Sequence, residues 1–149
     1  PADNIHSHPV CKDQYALVTN KRLNLTGAAE NNIPGKGYLR LAQPFSDGFA
    51  GKLEKFLYTH NLRVPVHQES DNILTLLSMV AANIGFTILP MSVARVADSR
   101  CNFTPFSSAG AQWKLSLIWN AKIQCKATKK FIDYVVDKTS QSVDELRNE

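Results

Sequence analysis

SDNILTLLSMVAANIGFTILP, residues 70–90, is the stretch whose reading decides the fold. Ser70 and Asp71 are types whose side chains accept from the first unpaired N–H groups of a helix, so a helix is expected to begin there. From Ile73 to Ala82 apolar residues fall on nearly every side, which predicts a helix surrounded by protein. Asn83 and Gly85 stand where the chain must leave that helix, and both tolerate positive φ. Phe86-Thr87-Ile88-Leu89 is a strand-sized apolar run, closed by Pro90. A buried helix feeding straight into a buried strand is half of a parallel α/β unit.

The same region carries no charge from Asn72 to Ala94, and about 20 such residues can cross a bilayer. The polar Asn72, Thr75, Ser78, Asn83, Thr87 and Ser92 argue against it. Gly85 and Pro90 would also free backbone groups that lipid cannot satisfy. No membrane partner is expected.

Working outward, Tyr38 to Gln43 alternates as a strand, and Pro44 to Gly48 is a turn with Ser46 and Asp47 as possible caps. Phe49, Leu53, Phe56, Leu57 and His60 follow helical spacing, and Asn61 can stop that helix. Val64 to Gln68 reads as the next strand. Residues 38–89 therefore spell strand, helix, strand, helix, strand with short connections, which predicts a doubly wound parallel sheet with helices on both faces. Upstream, residues 14–19 read as a short strand and residues 20–37 as loop. Downstream follow a short helix over 90–96, an extended piece at 103–106 and a strand at 114–119. An amphipathic helix is expected over 126–138, with Ala127, Phe131, Tyr134, Val135 and Lys138 on one stripe, and a frayed polar tail over 139–149.

Composition narrows the classes. An apolar fraction of 44% with 20% charged residues is that of a folded domain. The net charge of +4 is mild and the basic residues are scattered, densest at Lys126, Lys129 and Lys130. No basic stripe or reading helix supports a nucleic-acid surface on this chain. Cys11, Cys101 and Cys125 are odd in number and widely spaced, so neither a disulfide framework nor a zinc ribbon is implied, and a cytoplasmic location fits. The first residue is proline rather than methionine, so the chain is expected to be a piece of a longer protein.

Ligands of open parallel sheets bind beyond the carboxyl ends of the strands. Here those ends are Gln43-Pro44-Phe45-Ser46 and Ser70-Asp71-Asn72, each leading into a helix N-terminus with free N–H groups and positive potential. Together they form a candidate rim of hydroxyl, amide and backbone donors with one aromatic wall, suited to a small polar or anionic molecule. Asp47 and Asp71 oppose an anion and leave a zwitterion open. Each serine taken alone reads more readily as a cap. Other constellations are weaker. His6, His8 and Cys11 have ligand-type side chains, but nothing completes a tetrahedral site, and a disordered terminus is expected. Pro34-Gly35-Lys36-Gly37 precedes a strand and so is no phosphate loop. No G-x-S-x-G elbow exists, and His60 reads as an interface or surface residue and His67 as a strand residue rather than as catalysts. No metal, cofactor or catalytic residue is expected.

The ordered set of segments resembles the effector-binding domain of LysR-type transcriptional regulators. The resemblance rests on LLSMVAANIGFTILPMSVA at 76–94, YLRLAQPF at 38–45, LEKFLYTHNLRVPVHQES at 53–70 and CKDQYALVTNKR at 11–22. WKLSLIWN at 113–120 and KATKKFIDYV at 126–135 complete it. Asn61 and Asn83 stand where that family usually has glycine. The resemblance implies a periplasmic-binding-protein-like (type 2) α/β fold. Residues 20–102 would be the second lobe, 11–19 and 103–106 the crossover segments, and 107–138 the closing strand and helix of a first lobe whose opening part has no counterpart here. It implies a small polar, anionic or zwitterionic effector, self-association through the helix at 49–60 and neighbouring strands, and DNA contact only through a separate N-terminal domain. The competing reading is a fragment of a solute-binding protein of a transport system. A small α/β enzyme is a third, and no residue pattern specifies one.

Overall fold

A computed structural model describes residues 4–42, 48–122 and 125–147, with side chains to Thr139 in the last helix. The described elements run β1 (Ile5–Asn20), β2 (Tyr38–Leu41), α1 (Phe49–Thr59), β3 (Val66–Ser70), α2 (Ile73–Ala81), β4 (Thr87–Pro90), β5 (Cys101–Pro105), β6 (Gln112–Asn120) and α3 (Lys126–Arg147). Short 3-10 turns lie at Lys21–Leu23, Ala29–Asn31 and Met91–Val96. The chain divides into two compact units. A central unit spans Gln14–Gln112, and a terminal unit joins Pro1–Asp13 to Trp113–Glu149.

In the central unit β2 and β3 pair in parallel, Leu41 opposite Ser70. Phe86 extends the parallel set by bridging Tyr38: the Leu39 N–H donates to the Phe86 carbonyl (2.8 Å) and the Phe86 N–H to the Gly37 carbonyl (3.0 Å). Beyond this the sheet turns mixed. Residues 15–18 of β1 pair antiparallel with β4, and residues 16–20 pair antiparallel with β5. The strands expected within 38–89 thus pair in parallel, whereas the strand expected at 14–19 pairs antiparallel with β4 and with β5, the latter containing most of the extended piece expected at 103–106. The close approach at Phe86 explains the glycine before it, because a Cβ on Gly85 would collide with the Gly37 carbonyl.

The two long helices of this unit pack on opposite faces. Val18, Leu39, Leu41 and Leu89 form one core with Leu76, Leu77, Val80 and Ala81 of α2. Tyr15, on the other face of β1 by strand alternation, meets Phe49 and Phe56 of α1 at ring separations of 5.5 and 5.0 Å. Phe106 closes on Phe56 edge-on at 5.5 Å. Both helices end as their asparagines predict. Asn61 and Asn83 sit at φ 54° and 61°. Leu62 N–H donates to Leu57 carbonyl and Ile84 N–H to Met79 carbonyl, which is the Schellman closure.

Two expectations for α2 are corrected. The helix is not enclosed: Leu74 is 59% exposed, and Thr75 and Ser78 face outward. A nine-residue helix lying on one sheet face needs only the stripe at 76, 77, 80 and 81. Nor does Ser70 or Asp71 cap it. Asn72 does, its Oδ1 accepting from the N–H groups of Leu74 (2.8 Å) and Thr75 (3.3 Å). Strand pairing continues through Ser70, so the cap falls to the last of the three polar residues.

The terminal unit contains the first half of β1, β6, which pairs with β1, and α3. Residues 5–13 are strand, correcting the disordered terminus expected around His6, His8 and Cys11. His8 Nε2 lies 2.8 Å from Thr139 Oγ1, and the His6 ring stands 5.7 Å from that of Trp119. The helix runs on to Arg147 through the tail expected to fray. Its buried side chain is Ile132, while Phe131 and Tyr134 are exposed, so the core-facing stripe is one residue away from the expected one. No described helix is long and apolar enough to cross a membrane.

Candidate functional site

Parallel pairing sets the carboxyl ends of β2 and β3 side by side: Leu41 faces Ser70, and the Ala42 N–H donates to the Ser70 carbonyl at 2.9 Å. Ser70, Asp71 and Asn72 therefore emerge next to the point where the chain leaves β2. Gln43, Pro44, Phe45 and Ser46, with Asp47, lie outside the described residues. Gly48 is the N-cap of α1.

The chemistry at the α2 end differs from a bare helix terminus. Asn72 Oδ1 already serves two of the first-turn N–H groups. Ser70 Oγ accepts from the Asn72 N–H at 3.1 Å, a local turn that holds Asn72 in its capping conformation. Asp71 is exposed. The segment is thus a pre-folded polar ledge. It presents the Ser70 hydroxyl, the Asn72 amide and the positive end of α2, with part of the helix potential neutralised by the cap.

A second feature escaped the sequence reading. A groove of about 650 Å³ lies along the outer side of β2, β3 and α1, lined by Tyr38, Arg40, Glu54, Tyr58, Arg63 and Val66 among others. Arg40 bridges two carboxylates, Glu54 at 2.7 Å and Glu69. Burial pushes the Tyr38 hydroxyl up to about 12, so it stays neutral beside that triad. The only signal in the sequence was Arg40 alternating with Leu39 and Leu41. The other candidates do not assemble. His60 Nδ1 meets the Phe56 carbonyl at 2.9 Å within its own helix end. Among the described residues no group of three His, Cys, Asp or Glu side chains could hold a metal ion.

Residues 1–140 match the LysR substrate binding domain family, and the chain belongs to that family. No curated protein matches it in sequence. Among solved structures it is similar to CbnR, a LysR family transcriptional regulator, with a TM-score of 0.77 at 13% identity over 93% of this chain and 49% of that one. The BenM effector binding domain with its effector benzoate gives 0.73 at 13% identity, over 99% and 67%. The CcmR regulatory domain of Synechocystis in complex with 2-PG gives 0.73 at 15%, over 93% and 69%. The chain thus spans about half the length of that CbnR chain. These likenesses establish the fold, a mixed α/β architecture of the periplasmic-binding-protein-like type 2 kind.

Proposed function

We propose that this chain is the effector-sensing part of a bacterial LysR-type transcriptional regulator. It binds a small polar effector, anionic or zwitterionic, and acts on transcription in the cytoplasm through a DNA-binding domain outside these residues. The carrying observation is the family match over residues 1–140, which favours a regulator over a fragment of a transport protein and over an enzyme. The central unit corresponds to the second lobe, and the terminal unit to the closing part of the first. Ser70, Asp71 and Asn72, with Gln43, Pro44, Phe45 and Ser46, are the effector contacts. Supporting this are the adjoining ends of β2 and β3 and the exposed polar ledge before α2. One similar structure is described with benzoate, which makes an organic acid the first probe.

Self-association is assigned to the outer face of α1 and β2–β3, where Tyr58 is 88% exposed beside the Arg40 groove. The site is tested by screening organic acids and amino acids by calorimetry, then repeating the titration with Ser70→Ala, Asn72→Ala and Phe45→Ala. Affinity is expected to fall about tenfold or more where a charge-assisted hydrogen bond is lost. Unchanged affinity in both Ser70→Ala and Phe45→Ala overturns the rim assignment. Interface assignment is checked by sedimentation of Tyr58→Asp, which should shift the chain toward monomer.

A further inference from the structure

The groove of about 650 Å³ lies wholly within the central unit. It uses the same two strands as the rim, but their other ends. Leu41 and Ser70 mark the carboxyl ends, whereas Tyr38 and Val66, paired with each other, mark the amino ends. The groove is lined there by Tyr38 and Val66, by Leu57 and Tyr58 from the last turns of α1, and by residues 61–64. A volume within about 300–1,000 Å³, apolar walls and a few polar groups are the marks of a small-molecule site.

The connection from α1 to β3 is held in one shape. Asn61 takes φ 54°, the Leu62 N–H donates back to the Leu57 carbonyl (2.9 Å), and Pro65 restricts the backbone just before β3. Arg63 is therefore presented to the groove from a pre-set backbone. Tyr38 is only 4% exposed, and its ring lies against that of Phe86 at 5.6 Å. Its hydroxyl keeps its proton, since burial pushes it up to about 12. Among the described residues neither the Tyr38 hydroxyl nor the Arg63 guanidinium has a hydrogen-bond or ion-pair partner. A polar group on so buried a side chain calls for one.

Charge decides the sign of the ligand. Of the charged side chains lining the groove, Arg40 and Glu54 neutralise each other at 2.7 Å, which leaves Arg63 in surplus. Glu69, which also holds Arg40, does not line it. The C-terminal turn of α1 would by itself disfavour an anion. Its carbonyls at Phe56, Leu57 and Tyr58 are occupied by the N–H groups of His60, Leu62 and Asn61. We propose that this groove binds a small monocarboxylate with an apolar body. The carboxylate accepts from the Arg63 guanidinium and the Tyr38 hydroxyl, and the body lies against Leu57, Leu62, Val66 and the Tyr58 ring. The site stands apart from the rim, so the two are titrated independently.

The test titrates the whole chain with phenylacetate and follows backbone amides by NMR. It is run at a protein concentration where sedimentation shows a single species, so that binding is read apart from self-association. Saturable shifts are expected at Tyr58, Leu62, Arg63 and Val66. Phenylacetamide and phenethylamine, similar in shape without the negative charge, should bind about tenfold or more weakly. Acetate, which lacks the apolar body, should also bind more weakly. Arg63→Ala and Tyr38→Phe should each lower phenylacetate affinity about tenfold, the latter keeping the buried ring. Shifts confined to Ser70 and Asn72 would overturn the groove site while leaving the effector assignment intact. No saturable shift at the groove, equal binding of phenylacetamide, or unchanged affinity in Arg63→Ala overturns it as well. If Tyr38→Phe does not fold, Arg63→Ala, at an exposed position, decides.

Discussion

In the central unit Leu17, Leu39, Leu76, Phe86, Ile88 and Phe106 are all fully buried. In the terminal unit Ile132 is the one buried apolar side chain among the described residues, while Ile5, Leu115, Ile118, Phe131 and Tyr134 stand exposed. Both regions have regular strands and a helix. Only the first closes a core around them. The difference teaches that secondary structure and an independent core are separate achievements: a unit of two strand segments and a helix has too much surface for its volume to hold itself.

The largest expected effect tests that contrast directly. Phe86→Ala should cost about 3–5 kcal/mol as a core cavity, whereas Phe131→Ala should stay within about 0.5 kcal/mol as a surface change. Urea titration followed by far-UV circular dichroism measures both, and equal costs would erase the distinction. Trp113 and Trp119 both belong to the terminal unit, so tryptophan fluorescence reports that unit alone. Its transition is expected at lower urea than the circular dichroism of the whole chain.

Next in size is the helix cap. Asn72→Ala should destabilise the central unit by about 0.5–2 kcal/mol, and Ser70→Ala by less, because the cap bonds belong to Asn72. An equal loss from Ser70→Ala would show that the turn, not the cap, holds the start of α2. Thr87→Val acts in the opposite direction. The Thr87 hydroxyl is buried in β4 without a hydrogen-bond partner, so removing it should raise stability by about 1 kcal/mol. The smallest effect is Glu30's pH dependence. Glu30 Oε1 accepts from the N–H groups of Ser107 (2.7 Å) and Ser108 (2.6 Å). Its folded carboxyl lies below the ordinary 4.5, so its contribution is present above that value and lost as pH falls through the depressed one. The difference in urea midpoint between Glu30 and Glu30→Gln should therefore shrink between neutral and strongly acidic pH.

Much of the central unit was legible because its signals are local. Asn61 and Asn83 mark helix ends through backbone conformation, and alternation in YLRL marks β2, whatever surrounds them. The α3 stripe was misjudged because helical spacing fits two overlapping sets, one through Phe131 and Tyr134 and one through Ile132 and Val136. Which set turns inward depends on what the helix packs against. The cap was misplaced for a similar reason: Ser70, Asp71 and Asn72 all qualify locally, and strand pairing with β2 selects the third. The site itself was half legible, as strand ends followed by helix starts. The Arg40 and Glu30 clusters were not, since their partners lie 14, 29 and 77 residues away.

The sequence by itself determined the order of strands and helices, the two asparagine helix stops and the α/β class, because φ preferences and apolar periodicity act over a few residues. Only the tertiary structure decided that β1 and β5 join the sheet antiparallel, which face of α3 is buried, and that Glu30 grips Ser107 and Ser108. Those outcomes depend on contacts between segments far apart in the chain, whose pairing is set by shared burial and hydrogen bonding rather than by any residue's own preference.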